Sequence, residues 1–204
     1  SPEYLFCIIL SPVGSYYAHG LEPTKLPVED FYVRSAIGGT GEAKCLGNYA
    51  ASMKAGEEAE KKGFDQVLWL DAKDKKYVEE VGSMNMFFVI NGEVVTPALV
   101  GSILPGITRK SCLQVLRDKG YPVSERRISI DEVIEASKNG TLDEAFGTGT
   151  AAVISPVGLI RYKDEDYVIN GGKMGEITKM LYDTITGIQY GKLEDTYHWR
   201  KIIK

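Results

Sequence analysis

Apolar positions fall in short blocks separated by glycine, proline and charge, and the blocks change period along the chain. Residues 4–10 (YLFCIIL) form a continuous β-branched and aromatic run, which predicts a strand buried on both faces. Residues 11–14 end it, and residues 15–27 read as a loop, with a short β-like stretch over residues 30–35. Residues 48–62 predict a helix: Ala51, Ala55 and Ala59 recur at four-residue spacing opposite Lys54, Glu57, Glu60 and Lys61, and Gly63 supplies the stop. Residues 66–70 predict a second buried strand. Residues 85–90, Asn91-Gly92 and residues 93–96 form a hairpin pattern with a type I′ turn. Helices follow over residues 108–119, 131–138 and 174–188, with strands over 122–128, 144–146 and 151–154 and a hairpin over 161–168. Strands and helices interleave, so the expected class is α/β with a mixed sheet, in one domain spanning residues 1–204.

Composition changes this picture little. The chain has 204 residues, is 44% hydrophobic and 25% charged, and carries a formal net charge of -4. That length supports a sizeable core without staples. No Lys/Arg cluster suggests a nucleic-acid groove, and no apolar run approaches the ~20 residues of a membrane span. Cys7, Cys45 and Cys112 contain no CxxC pair, so neither a zinc ribbon nor a thioredoxin-type motif is present, and reduced thiols in a cytoplasmic protein are expected. With only His19 and His198, a histidine triad or a histidine-rich metal site is hard to build, and no metal site is expected.

Two glycine motifs fail as nucleotide signatures. In residues 38–45 (GGTGEAKC), Ala43 precedes the lysine and Cys45 stands where a P-loop needs Ser or Thr. Residues 147–152 (GTGTAA) lead into a strand-like segment ending at Pro156, whereas a dinucleotide fingerprint opens a helix. Such turns still offer backbone N–H groups to an anion, and residues 101–109 (GSILPGITR) run into a helix start, so a phosphorylated ligand is expected. Lys44, in its glycine-rich approach with Tyr49 five residues on, is the candidate nucleophile or base. Glu79-Glu80 stands at the mouth of an apolar strand, where an acid needs a cationic partner.

Residues 38–52 (GGTGEAKCLGNYAAS) resemble the lysine region of branched-chain amino-acid aminotransferases, which are fold-type IV pyridoxal-phosphate enzymes. Residues 80–85 (EVGSMN), 101–109 and 146–157 (FGTGTAAVISPV) match further segments in order, as do 32–34 (YVR) and 188–191 (IQYG). The resemblance implies the large domain of the D-amino-acid aminotransferase-like fold, a mixed-sheet α+β pseudo-barrel. It implies that Lys44 bonds to pyridoxal 5'-phosphate and shuttles a proton, that Glu80 pairs with the ring nitrogen and that Tyr49 bonds the ring O3′. Leu104 would pack on the ring, Ile107, Thr108 and Thr150 would hold the phosphate, Arg34 would be a pocket arginine, and Ser83 and Ala151 would lie near the substrate carboxylate. The implied reaction exchanges the amino group of leucine, isoleucine or valine with 2-oxoglutarate, giving glutamate, in a homodimer. D-amino-acid aminotransferase, aminodeoxychorismate lyase and a non-catalytic pyridoxal-phosphate-binding protein are the alternatives. Ala152 and Ser155 occupy the places where some members carry a CxxC redox pair. The family's N-terminal small domain has no counterpart in this sequence, so the chain is expected to fold but to bind its cofactor poorly and show little activity alone.

Overall fold

The computed structural model of the chain describes residues 2–12, 14 and 20–203. Its elements in chain order are β1 (Thr24–Glu29), α1 (Leu46–Lys61), β2 (Leu68–Leu70), β3 (Val78–Val81), β4 (Met84–Ile90), β5 (Glu93–Pro97) and α2 (Ile107–Asp118). There follow β6 (Val123–Arg126), α3 (Ile130–Lys138), β7 (Leu142–Gly149), β8 (Val153–Tyr162), β9 (Glu165–Val168) and α4 (Glu176–Gln189). The strands form one mixed sheet in the order β3-β2-β1-β8-β7-β4, and a β3–β4 pairing closes these six into a barrel-like ring. β5 and β6 extend from β4, and β9 pairs with β8. The pairs β1–β2, β1–β8 and β5–β6 are parallel, the rest antiparallel. Among the described residues no helix is long and apolar enough to cross a membrane.

β4 explains why its sequence is apolar without alternation. Met84, Met86 and Phe88 join a cluster with Leu26, Leu70, Val81 and the apolar face of α3. Phe87 and Val89 point the other way, into a cluster formed with α2 and α4, where Phe87 stacks on Phe146 at 5.0 Å. A strand covered on both faces needs apolar side chains at every position. At its end Asn91 and Gly92 both take positive φ, 51° and 75°, as the I′ turn requires. On another part of the sheet, Ala55 and Ala59 of α1 pack on Trp69, Val67 and Phe64; Ala51 of the same stripe is exposed.

Four expectations are corrected. Residues 4–10 are not a buried strand: they lie outside every strand, and the large apolar side chains among them are 76–91% exposed. The run has strand composition, but among the described residues the ring closes without it. A strand forms instead at β1, whose residues 24–27 lie in the segment expected to be loop; its Leu26 is fully buried between β2 and β8. Residues 30–35 form irregular chain rather than a β-like stretch, because β1 ends at Glu29, whose carboxylate accepts from the Phe31 and Tyr32 N–H groups and turns the backbone. Gly147, Thr148 and Gly149 belong to β7, so the turn is only residues 150–152. His19, expected in a loop, falls outside the described residues.

A buried carboxylate fixes the start of α4. Glu144 of β7 accepts from Ile177 N at 2.9 Å, from Thr178 N at 2.8 Å and from Thr178 Oγ1 at 2.7 Å, supplying the cap that Gly175 lacks. Glu144→Ala leaves these donors buried and unpaired, and should lower the unfolding free energy by roughly 2–3 kcal/mol. Urea titration of the variant checks this; an unchanged midpoint would remove Glu144 from the stability of α4.

Candidate active site

Lys44 is the last residue of a turn-rich segment, directly before the α1 N-cap Cys45. Asn48, in the first turn of α1, reaches back to hold the segment: its Nδ2 donates to Thr40 O at 2.7 Å and Ala43 O at 3.0 Å, and Thr40 Oγ1 donates to its Oδ1 at 2.7 Å. Gly41 packs so closely on Ser102 that a Cβ there would lie 2.2 Å from the Ser102 carbonyl oxygen. The lysine is exposed, and its Nζ lies 5.5 Å from the centroid of the Tyr49 ring.

Glu80 lies inside β3, and adjacent strand residues face opposite ways. The short β3–β4 turn sets Glu80 opposite Asn85. Asn85 Nδ2 donates to Glu80 Oε1 at 3.1 Å and to Leu104 O at 2.8 Å. Arg34 is the cationic partner that the sequence demanded: its Nη2 lies 2.5 Å from Glu80 Oε2, with both side chains buried. The same Nη2 donates to Ser102 O at 2.6 Å, which also accepts from Ser35 Oγ at 2.6 Å. Glu79 points the other way and accepts from Ser102 Oγ, so Ser102 links Glu79 to the arginine that pairs with Glu80. Burial pushes the Glu79 carboxyl up. Burial pushes Glu80 up further, from the ordinary 4.5 to about 7, because desolvation outweighs the attraction of Arg34.

Lys44, Glu80 and Asn85 border a cavity of about 230 Å³. Lys44, Glu80, Ser83 and Leu104 line it with Ile107, Thr108 and Thr150 of the expected set. Asn85 and Thr148, not singled out from the sequence, line it too. Tyr49 and Arg34 border a narrow adjoining cleft that shares Glu80, Ser83 and Leu104 with it. Ala151 is exposed in the turn after β7 and is not brought into either wall. α2 starts at the cavity wall with Gly106 as N-cap, no side-chain cap and no acid in its first turn, leaving its first N–H groups free for an anion. Gly106 is needed there: a Cβ would lie 2.1 Å from Asn85 Oδ1. The five-residue spacing across a tight turn was the available signal for Asn85; Ser102 and Thr148 had none beyond their polarity inside apolar surroundings.

A family model described as amino-transferase class IV matches residues 32–160. Branched-chain-amino-acid aminotransferase 2 of Bacillus subtilis is 62% identical over 199 residues, which is 98% of this chain and 55% of that protein. The branched-chain-amino-acid aminotransferase of Mycolicibacterium smegmatis is 48% identical over 203 residues, again 98% of this chain and 55% of its own length. The crystal structure of the Escherichia coli branched-chain amino acid aminotransferase superposes with a TM-score of 0.80 at 31% identity, covering 93% of this chain and 59% of that one. The branched-chain aminotransferase of the thermophilic archaeon Thermoproteus uzoniensis, solved with norvaline, gives 0.77 at 32% identity, covering 93% and 58%. The chain thus spans little more than half the length of these relatives.

The raised Glu80 carboxyl has a consequence for the ligand-free protein. The folded state holds this proton more tightly than the unfolded chain does. Its contribution to stability is therefore full below pH 4.5 and is lost as pH rises to about 7. Glu80→Gln should flatten that decline, and Arg34→Met should extend it above pH 7. Urea unfolding at stepped pH measures both; a Glu80→Gln profile parallel to the parent's would show that the proton is held elsewhere.

Proposed function

The chain belongs to the class IV aminotransferase family, and from that premise we propose that it carries the cofactor centre of a pyridoxal-phosphate-dependent aminotransferase acting on leucine, isoleucine and valine with 2-oxoglutarate. The observation that supports this reading is the meeting of three features in one cavity: an exposed amine at Lys44, a buried carboxylate at Glu80 and the uncapped start of α2. Their chemistry fits pyridoxal phosphate, which combines a carbonyl, a basic ring nitrogen and a phosphate dianion. When bound, that group supplies a carbonyl for the amino group and a cationic ring that takes up electrons from the substrate carbon.

Each side chain then has a defined task. Lys44 Nζ would hold the group through its amine and, as a free amine, would be the base placed to accept and return the substrate proton. Glu80 holds the ring-nitrogen proton. The bound cation adds to Arg34 in favouring the ionised carboxylate, against the burial that raises it toward 7. Asn85 and Arg34 fix the direction of that carboxylate, so Arg34 acts through Glu80. Tyr49, beside Lys44, offers its hydroxyl to the ring oxygen. Leu104 covers one ring face. The N–H groups of Ile107 and Thr108, with Thr150, receive the phosphate. Ser83, which lines both the cavity and the adjoining cleft, would face the substrate carboxylate, whereas Ala151 is exposed outside both walls. The branched-chain preference is supported by the relatives, every one of those described above being named for it.

The test is a leucine titration of the full-length cofactor-loaded protein, followed by absorbance. Leucine should convert the imine band to the amine band, and 2-oxoglutarate should restore it; no change with leucine, isoleucine or valine would refute the substrate assignment. Lys44→Ala should abolish turnover, and borohydride reduction of the parent followed by peptide mapping should place the pyridoxyl label on Lys44. A label on another lysine would move the chemistry elsewhere. Glu80→Gln should lower kcat by about 10²–10³-fold with a much smaller effect on KM, because the ring proton matters most in the transition state.

A further inference from the structure

Thr148 is enclosed in the wall of the cavity, 1% exposed, and its hydroxyl has no hydrogen-bond partner in the chain. A polar group left so is costly, and such a group at a cavity wall points to a ligand atom. The alternation of β7 fixes its direction. A Cβ on Gly147 or Gly149 would meet Met84, in the apolar cluster on one face of the sheet. Thr148, between them, projects to the other face. Its cross-strand partner there is Asn85, which lines the same cavity.

The start of α2 lies at the same wall. Thr108 Oγ1 donates to Gly149 O at 3.2 Å, tying the first turn of the helix to the end of β7. Of the three threonines at this end of the cavity, Thr108 has its hydroxyl engaged and Thr150 is exposed, whereas that of Thr148 is buried and free. The uncapped helix start and Thr148 line the same cavity, with the Thr148 hydroxyl buried in its wall. Helix N–H groups and a hydroxyl at one place are the donor set for a tetrahedral oxyanion.

We propose that the Thr148 hydroxyl is a direct donor to the cofactor phosphate, forming the buried floor of its cup beneath the α2 N–H groups. The inference rests on the phosphate placement in the preceding section. It adds a buried hydroxyl, that of Thr148, to the donors placed there at Ile107, Thr108 and Thr150, with Thr108 also tying the helix to β7. A hydrogen bond to an ionised oxygen is about twice as strong as a neutral one, so its loss is readable in affinity.

The experiment compares dissociation constants for pyridoxal phosphate and for pyridoxal, which lacks the phosphate, in the cofactor-free full-length protein. Bound-chromophore absorbance is the readout, and inorganic phosphate serves as competitor. Thr148→Val should weaken pyridoxal phosphate about tenfold, leave pyridoxal unchanged and weaken phosphate competition in parallel. Thr148→Ser should behave like the parent. Thr148→Ala gives a second hydroxyl-free variant of smaller volume, so the comparison stands even where valine disturbs folding. Loss of both ligands equally in the valine and alanine variants, or parental affinity for pyridoxal phosphate in either, would overturn the assignment. Failure of the underlying placement looks different: the parent itself would bind pyridoxal as tightly as the phosphate ester.

Discussion

The structure turns on a carboxylate taken out of water at the place where the sheet closes on itself. Glu80 sits in β3, and β3 is the strand that turns six strands into a ring by pairing with β4. Its partners come from distant segments: Arg34 follows β1, Asn85 opens β4, and the segment ending at Leu104 precedes α2. A buried ion pair of this kind adds little net stability, since desolvation consumes most of the attraction. Breaking it is expensive, because each remaining charge would be stranded. The pair therefore ties the register of the ring to the shape of the cavity.

That arrangement accounts for the neighbouring groups. Ser102 receives Arg34 on its carbonyl and gives its hydroxyl to Glu79, so one loop residue satisfies Glu79 and holds the arginine that pairs with Glu80. The same loop carries Leu104 and Gly106, the roof of the cavity and the cap of α2. Anything that shifts Arg34 moves the carboxylate and the anion cup together. This coupling is a physical reason for a polar network where an apolar packing would be more stable.

Much of this was legible in the sequence. The helices announced themselves through periodicity and glycine stops, and Asn91-Gly92 marked its hairpin because few residues tolerate two successive positive φ values. Lys44, Glu80 and the α2 start stood out as polar groups in unusual settings, and the order of their motifs carried the resemblance. The misses share a cause. The first part of β1, with Lys25 and Pro27, reads as loop; it is a strand because β2 and β8 flank it. β3 contains two glutamates, and is a strand because Arg34 and Ser102 satisfy them. Residues 4–10 have the composition of a core strand, yet composition cannot say whether a partner lies within reach. Local pattern fails where distant residues decide, and Thr148, whose buried hydroxyl meets no partner within the chain, is the extreme case.

The connectivity of the ring bears on how the protein is made. β1 is parallel to both neighbours. It meets β2 some forty residues further on, but Thr24 Oγ1 donates to a carbonyl 132 residues away in β8. At ribosomal speeds of about 5–20 residues per second, that partner emerges on the order of ten seconds after β1. During that interval the β8 edge of β1 stands open, and the exposed apolar run of residues 4–10 precedes it in sequence. An open edge and an apolar stretch are what holdase chaperones recognise and what aggregation starts from. Yield in a cell should therefore be governed by the wait for β8, and slower synthesis at lower temperature lengthens that wait even as it weakens hydrophobic association.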